Sequence, residues 1–118
     1  MTPHPSDHER TGRSNDPPVL ILTSLASGPK HGYALLQDID AFAGVRLGPG
    51  TLYGAIARLE ERGLIEPAGE AGRRRPYRLT AAGATELESV LAGLRTIVDE
   101  GSARLAGLGR TASAGGLA

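Results

Sequence analysis

Cysteine and tryptophan are absent from the 118 residues, and phenylalanine and methionine occur once each. Without cysteine there is neither a disulfide framework nor a thiolate metal site. Aromatics make up only 3% of the chain, so its core has to be built from Leu, Ile, Val and Ala. Such a core buries a modest area, and a small domain of this kind often gains stability by pairing with its own copy. Long apolar runs are missing as well. No stretch approaches the ~18 residues of a membrane span and the polar N-terminus has no leader pattern, so a cytoplasmic protein without membrane contact is expected. Lysine is nearly absent: of thirteen basic residues, twelve are arginine, in a chain of zero net charge. Arg73, Arg74, Arg75 and Arg78 lie together with no acid among them, a focused basic cluster on a neutral background.

The order of elements can be read from caps and periodicity. Residues 1–16 are polar, carry prolines and lack periodicity, and residues 107–118 read the same way; both are expected to be disordered tails. Asp16-Pro17-Pro18 opens a first helix as cap and first turn, Ile21, Leu22 and Leu25 give its buried stripe, and Gly28-Pro29 ends it. A second helix is predicted from about His31 to Ala43, with Leu35, Ile39 and Phe42 at i, i+4, i+7 and Gly44 as its stop. The third starts at Gly48-Pro49, places Leu52, Ile56 and Leu59 on one side, and ends at Gly63. Short strands follow at residues 64–67 and 76–79, with a glycine-hinged tip from Gly69 to Arg75 between them. Thr80 caps a last helix, expected over residues 80–106, in which Leu87, Leu91, Leu94, Val98, Gly101 and Leu105 recur at heptad spacing.

Three helices, a hairpin and a long helix make a mainly α fold with a small β-hairpin. This is the order of a winged helix-turn-helix, residues 17–79, followed by a dimerisation helix. In a helix-turn-helix the second helix of the motif enters the major groove of double-stranded DNA with its N-terminal residues nearest the bases. Here that helix offers Thr51, Tyr53, Gly54, Ala57 and Arg58. Arg58 has the fork for a guanine edge or a phosphate, and the hydroxyls of Thr51 and Tyr53 suit phosphates. Equally, Tyr53 could cap the edge of the core and Arg58 could pair with Glu61. Arg73, Arg74 and Arg75 on the tip suit the phosphate backbone or a minor groove; the alternative is a solvated turn. Lys30, His31 and Tyr33 at the second helix's start could hold a phosphate, or Tyr33 could pack across the turn.

Catalysis finds no support. His4 and His8 lie in the tail without a third ligand, and Glu60 and Glu61 point to different sides of a helix. Gly48-Pro49-Gly50-Thr51 lacks the lysine of a phosphate loop. An enzyme, a cofactor or a metal site is not expected.

HGYALLQDI, GTLYGAIARLEERGLIE and GRRRPYRLTAAG together resemble the PadR family of bacterial transcriptional regulators, in a form with one C-terminal helix. The resemblance runs over about residues 18–106 and is strongest from His31 to Gly83. It implies a homodimer on an inverted-repeat operator, usually a repressor released by a small molecule, with DNA contacts at Tyr33, Thr51 and Tyr53 and a wing at Arg73 to Arg75. The chain departs from the common family pattern at Gly54, where many members have proline, and at Gly48, where serine is common. The scarcity of aromatics favours small or aliphatic effectors, or none. A winged-helix module that binds protein and never reads DNA is the alternative.

Overall fold

A computed structural model of the chain describes residues 16–69 and 75–116. Its elements are α1 (Pro17–Leu25), α2 (Gly32–Ala43), α3 (Pro49–Glu61), β1 (Ile65–Pro67), β2 (Tyr77–Leu79) and α4 (Ala81–Gly116). The chain divides into two compact units, Met1–Leu87 and Glu88–Ala118. The tail expected over residues 1–16 lies outside the described residues except for Asp16, as does most of the hairpin tip. Among the described residues no helix is long and apolar enough to cross a membrane.

The first unit is organised around α1. Leu20, Ile21, Leu22 and Leu25 are all buried, because α1 packs against α2, α3 and β2 together rather than along one stripe. Leu35 and Ile39 from α2, Leu52, Ala55, Ile56 and Leu59 from α3, Leu64 and Ile65 from the hairpin, and Leu87 complete the core. Spacing alone puts Phe42 on the buried stripe of α2, but it is exposed near the helix end, and Leu36 is packed against the core. A buried hydroxyl ties two helices together: Ser24 Oγ donates to Asp38 Oδ2 at 2.6 Å.

The helix ends follow local chemistry. Asp16 stands at the N-cap of α1 without a side-chain capping bond. Pro17 and Pro18 carry no N–H, so little is left for a carboxylate to cap. Helix α1 stops at Leu25, ahead of the Gly28-Pro29 signal, and Ser27 Oγ closes on the freed Ser24 carbonyl at 3.0 Å. Helix α3 ends in a Schellman motif: with Gly63 at φ 75°, its N–H donates to the Glu60 carbonyl and the Leu64 N–H to the Leu59 carbonyl, each at 3.0 Å.

Strands β1 and β2 pair antiparallel with Ile65 opposite Leu79, Glu66 opposite Arg78 and Pro67 opposite Tyr77. On the other side of Tyr77 the backbone of Lys30 adds a one-residue bridge. The joint to α4 is made by Thr80. Its hydroxyl donates to the Gly63 carbonyl at 2.7 Å and accepts from the Gly83 N–H at 3.0 Å, while its own N–H donates to the Leu64 carbonyl at 3.1 Å. Thr80→Val keeps the shape and removes both hydroxyl bonds. A loss of about 2 kcal/mol is expected, one helix cap and one carbonyl partner. Urea midpoints should show the deficit for Thr80→Val and little change for Thr80→Ser.

Helix α4 runs on to Gly116, ten residues past the expected end at Ala106, so residues 107–116 are helical rather than a tail. No proline follows Thr80 to break the helix, and an exposed helical glycine costs only ~1 kcal/mol relative to alanine.

Candidate nucleic-acid interface

At 100° per residue, α3 turns Leu52, Ala55, Ile56 and Leu59 inward and leaves Gly50, Gly54 and Ala57 along the middle of the outward side. That strip has no side chain longer than a methyl group. Thr51 and Arg58, both exposed, border it on one side, and Tyr53 borders it on the other. Glu61 follows on the same outward side near the helix end, so the N-terminal turns of α3 are the ones that suit an anionic partner.

Tyr53 is 53% exposed, yet its ring is not loose. It lies over Gly32 at the start of α2, where a Cβ would run into the hydroxyl and come within 2.8 Å of Cζ. Gly32 therefore gives the tyrosine its seat, and the ring links α3 to the α2 N-terminus. Nothing in the periodicity marked Gly32; a glycine in the first turn of a helix was the available signal. Tyr33, 62% exposed, stands free of the core.

Two expected phosphate ligands have other partners. Lys30 Nζ turns back onto the end of α1, donating to the Ser24 carbonyl, to Ser27 Oγ at 2.7 Å and to the Gly28 carbonyl at 3.4 Å. An ammonium there complements the negative end of the α1 dipole, so in this chain Lys30 acts as a helix C-terminal cation. His31 is the N-cap of α2, its Nδ1 accepting from the Ala34 N–H at 3.3 Å.

Of the arginine cluster, Arg73 and Arg74 lie outside the described residues, and Arg75 is exposed at the edge of β2. Arg78 is paired: its Nε meets Glu66 Oε2 at 2.8 Å across the hairpin, a partner set by strand register rather than by sequence neighbourhood.

The proposed seam of α4 is split. Leu87 is buried in the core of the first unit, so it is a core residue and not a seam residue. In the second unit Leu91 is exposed, Leu94 is half-buried, and Val98 and Leu105 are 62% and 69% exposed, with Ile97 and Leu108 beside them. Leu108 continues the heptad spacing one step past Leu105.

A helix-turn-helix, a hairpin wing and a bare-faced second helix define a winged helix-turn-helix domain. The match to known proteins narrows this class. A family model described as the PadR-like transcriptional regulator family matches residues 21–89, and the chain belongs to that family. An uncharacterised 37.1 kDa protein in transposon TN4556 of Streptomyces fradiae is 54% identical over 76 residues, 64% of this chain and 22% of that protein. Transcriptional activator GvpE2 of Halobacterium salinarum is 34% identical over 80 residues, 66% of this chain and 41% of that protein. The chain thus spans less than half the length of these curated relatives. The crystal structure of a PadR family transcriptional regulator from Eggerthella lenta is 30% identical, with a TM-score of 0.69, and the match covers 85% of this chain and 90% of that one.

Proposed function

We propose that this chain is a sequence-specific transcriptional regulator that binds double-stranded DNA as a homodimer. The observation that carries the reading is the bare outward strip of α3, bordered by Thr51, Arg58 and Tyr53 at the end of the helix that can approach base edges. A helix whose N-terminal turns carry nothing longer than a methyl group along the middle of the outward side can sit deep in a major groove while bordering groups hold phosphates and read bases. Tyr33 and the wing residues Arg73, Arg74 and Arg75 extend this contact along the backbone. The exposed α4 residues Leu91, Leu94, Val98 and Leu105 form the seam between protomers, and two recognition helices then meet successive major grooves ~34 Å apart. Repression of an inverted-repeat operator is the mode this arrangement suits, by occupying the site. A small aliphatic effector bound between protomers would release it by changing the spacing of the recognition helices. Family membership and the transcriptional regulators among the chain's relatives support the regulator part of this reading.

The test is selection of bound DNA from a random pool, followed by titration over salt. A palindrome with half-sites one helical turn apart is expected. Changing Arg73, Arg74 and Arg75 together to alanine should flatten the slope of log K against log salt by up to about three, one contact each. Absence of any salt-sensitive binding by the unaltered protein would favour the protein-interaction module instead.

A further inference from the structure

Gly54 and Arg58 stand one turn apart on α3. A Cβ placed on Gly54 would lie 3.6 Å from Arg58 Nη1, so the guanidinium folds back over the bare backbone of the preceding turn. Two physical features produce this. Helical side chains lean toward the N-terminus of their helix, and a glycine at i−4 leaves the lane under that lean open. Arg58 is the tenth residue of α3, and its Cα lies ~14 Å along the axis from the helix start. Leaning over Gly54 brings the charged fork ~6 Å nearer the end that approaches base edges. It also carries the fork away from Glu61, the acid one turn in the other direction.

We infer that Gly54 is a positioning residue for Arg58, and that the pair sets base preference at one symmetric position of each half-site. The inference rests on the DNA-binding reading above. The chemistry that would be recognised is a guanine edge, whose O6 and N7 accept the two parallel N–H bonds of a guanidinium. A side chain with a γ atom at position 54 would occupy the lane and turn the fork away. Alanine would not, since 3.6 Å is ordinary contact distance for its methyl group.

The experiment compares Arg58→Ala, Arg58→Lys, Gly54→Ala, Gly54→Leu, Gly54→Gln and the double change Gly54→Leu with Arg58→Ala. Each is measured against the selected operator and its single-base variants, with urea midpoints to check folding. Arg58→Ala should lower discrimination at one base pair by about tenfold to a hundredfold. Gly54→Leu and Gly54→Gln put a longer side chain into the strip that faces the groove and should lower affinity for all sequences alike. Beyond that uniform loss each should lose preference at that same base pair, and one folded variant of the two is sufficient. The double change should lose no more discrimination there than Arg58→Ala alone. Gly54→Ala should keep the preference, and Arg58→Lys should keep general affinity while losing it. A uniform loss across all sequences in Arg58→Ala would overturn the inference, because it marks a phosphate contact. So would unchanged preference at that position in both bulky Gly54 variants. In either case the unaltered protein still selects an operator and the DNA-binding reading stands; if it selects none, that reading fails first.

Discussion

Gly83→Ala is expected to destabilise the first unit by about 1–3 kcal/mol, although alanine is the better helix former. The first turn of α4 rests directly on the Leu64 carbonyl. A Cβ on Gly83 would collide with that oxygen and stand 3.0 Å from the carbonyl carbon and 2.9 Å from Leu79 Cδ1. The oxygen has nowhere to retreat. It accepts from the Thr80 N–H at 3.1 Å, and the Leu64 N–H is held by the Leu59 carbonyl at 3.0 Å. Relief therefore requires the helix to lift off the hairpin, stretching the Thr80 bonds to Gly63, Leu64 and Gly83 at the same time. Overpacking of this kind costs about 1–3 kcal/mol, and one disrupted hydrogen bond adds about 1. The helix-propensity gain that opposes it is at most ~1 kcal/mol. Gly93 supplies the control: nothing lies within 4 Å of its Cβ position, so Gly93→Ala should stabilise α4 by up to ~1 kcal/mol. Urea denaturation of both variants decides the matter. Equal stability of Gly83→Ala and the unaltered chain would show that the joint is softer than its geometry.

What was readable beforehand follows from the range of each interaction. Gly48-Pro49, Gly63 and Thr80 act on residues within one turn of themselves, so the starts of α3 and α4 and the end of α3 could be placed from local sequence alone. The inward positions Leu52, Ile56 and Leu59 followed from the helical period in the same way. The capping role of Lys30 is not legible locally because its partners, the carbonyls at the end of α1, face it only after the Gly28-Pro29 turn folds back. Arg78 looked like part of a free basic run because Glu66 is twelve residues away and becomes its neighbour only through strand register. That register was within reach, since aligning Ile65 with Leu79 puts Glu66 against Arg78. Phe42 satisfied the period but overran the elements that could cover it, a fact of helix length and not of pattern. Leu87 fitted the heptad and the core equally well; packing in the first unit decided between them. Gly32 and Gly83 carried no legible role, because close approach depends on what arrives from elsewhere in the chain.

The largest effect on assembly is expected from Val98→Glu. Val98 is 62% exposed in its own unit, so the change costs that unit little; exposed substitutions usually fall within ~0.5 kcal/mol. Glutamate is the better helix former, and Arg95, three residues earlier, gives its carboxylate a neighbour of opposite sign. Any large loss must then come from a partner chain. In a two-fold dimer each substitution counts twice. Two valines' worth of apolar burial, ~1.5 kcal/mol or more each, disappears, and two carboxylates enter an apolar seam. The dimer dissociation constant should rise at least ~100-fold, with tenfold for each 1.4 kcal/mol. Sedimentation at micromolar concentration should give a dimer for the unaltered chain and a monomer for Val98→Glu, with helical content preserved in both. Affinity for a full palindrome should fall toward that for one half-site, although no residue of α3 has changed. Leu87→Ala should behave differently, lowering stability without selectively releasing monomer, because Leu87 is held in the core of its own chain. A Val98→Glu protein that sediments as a dimer would place the contact between protomers elsewhere, and a monomeric unaltered chain would remove the paired-helix arrangement altogether.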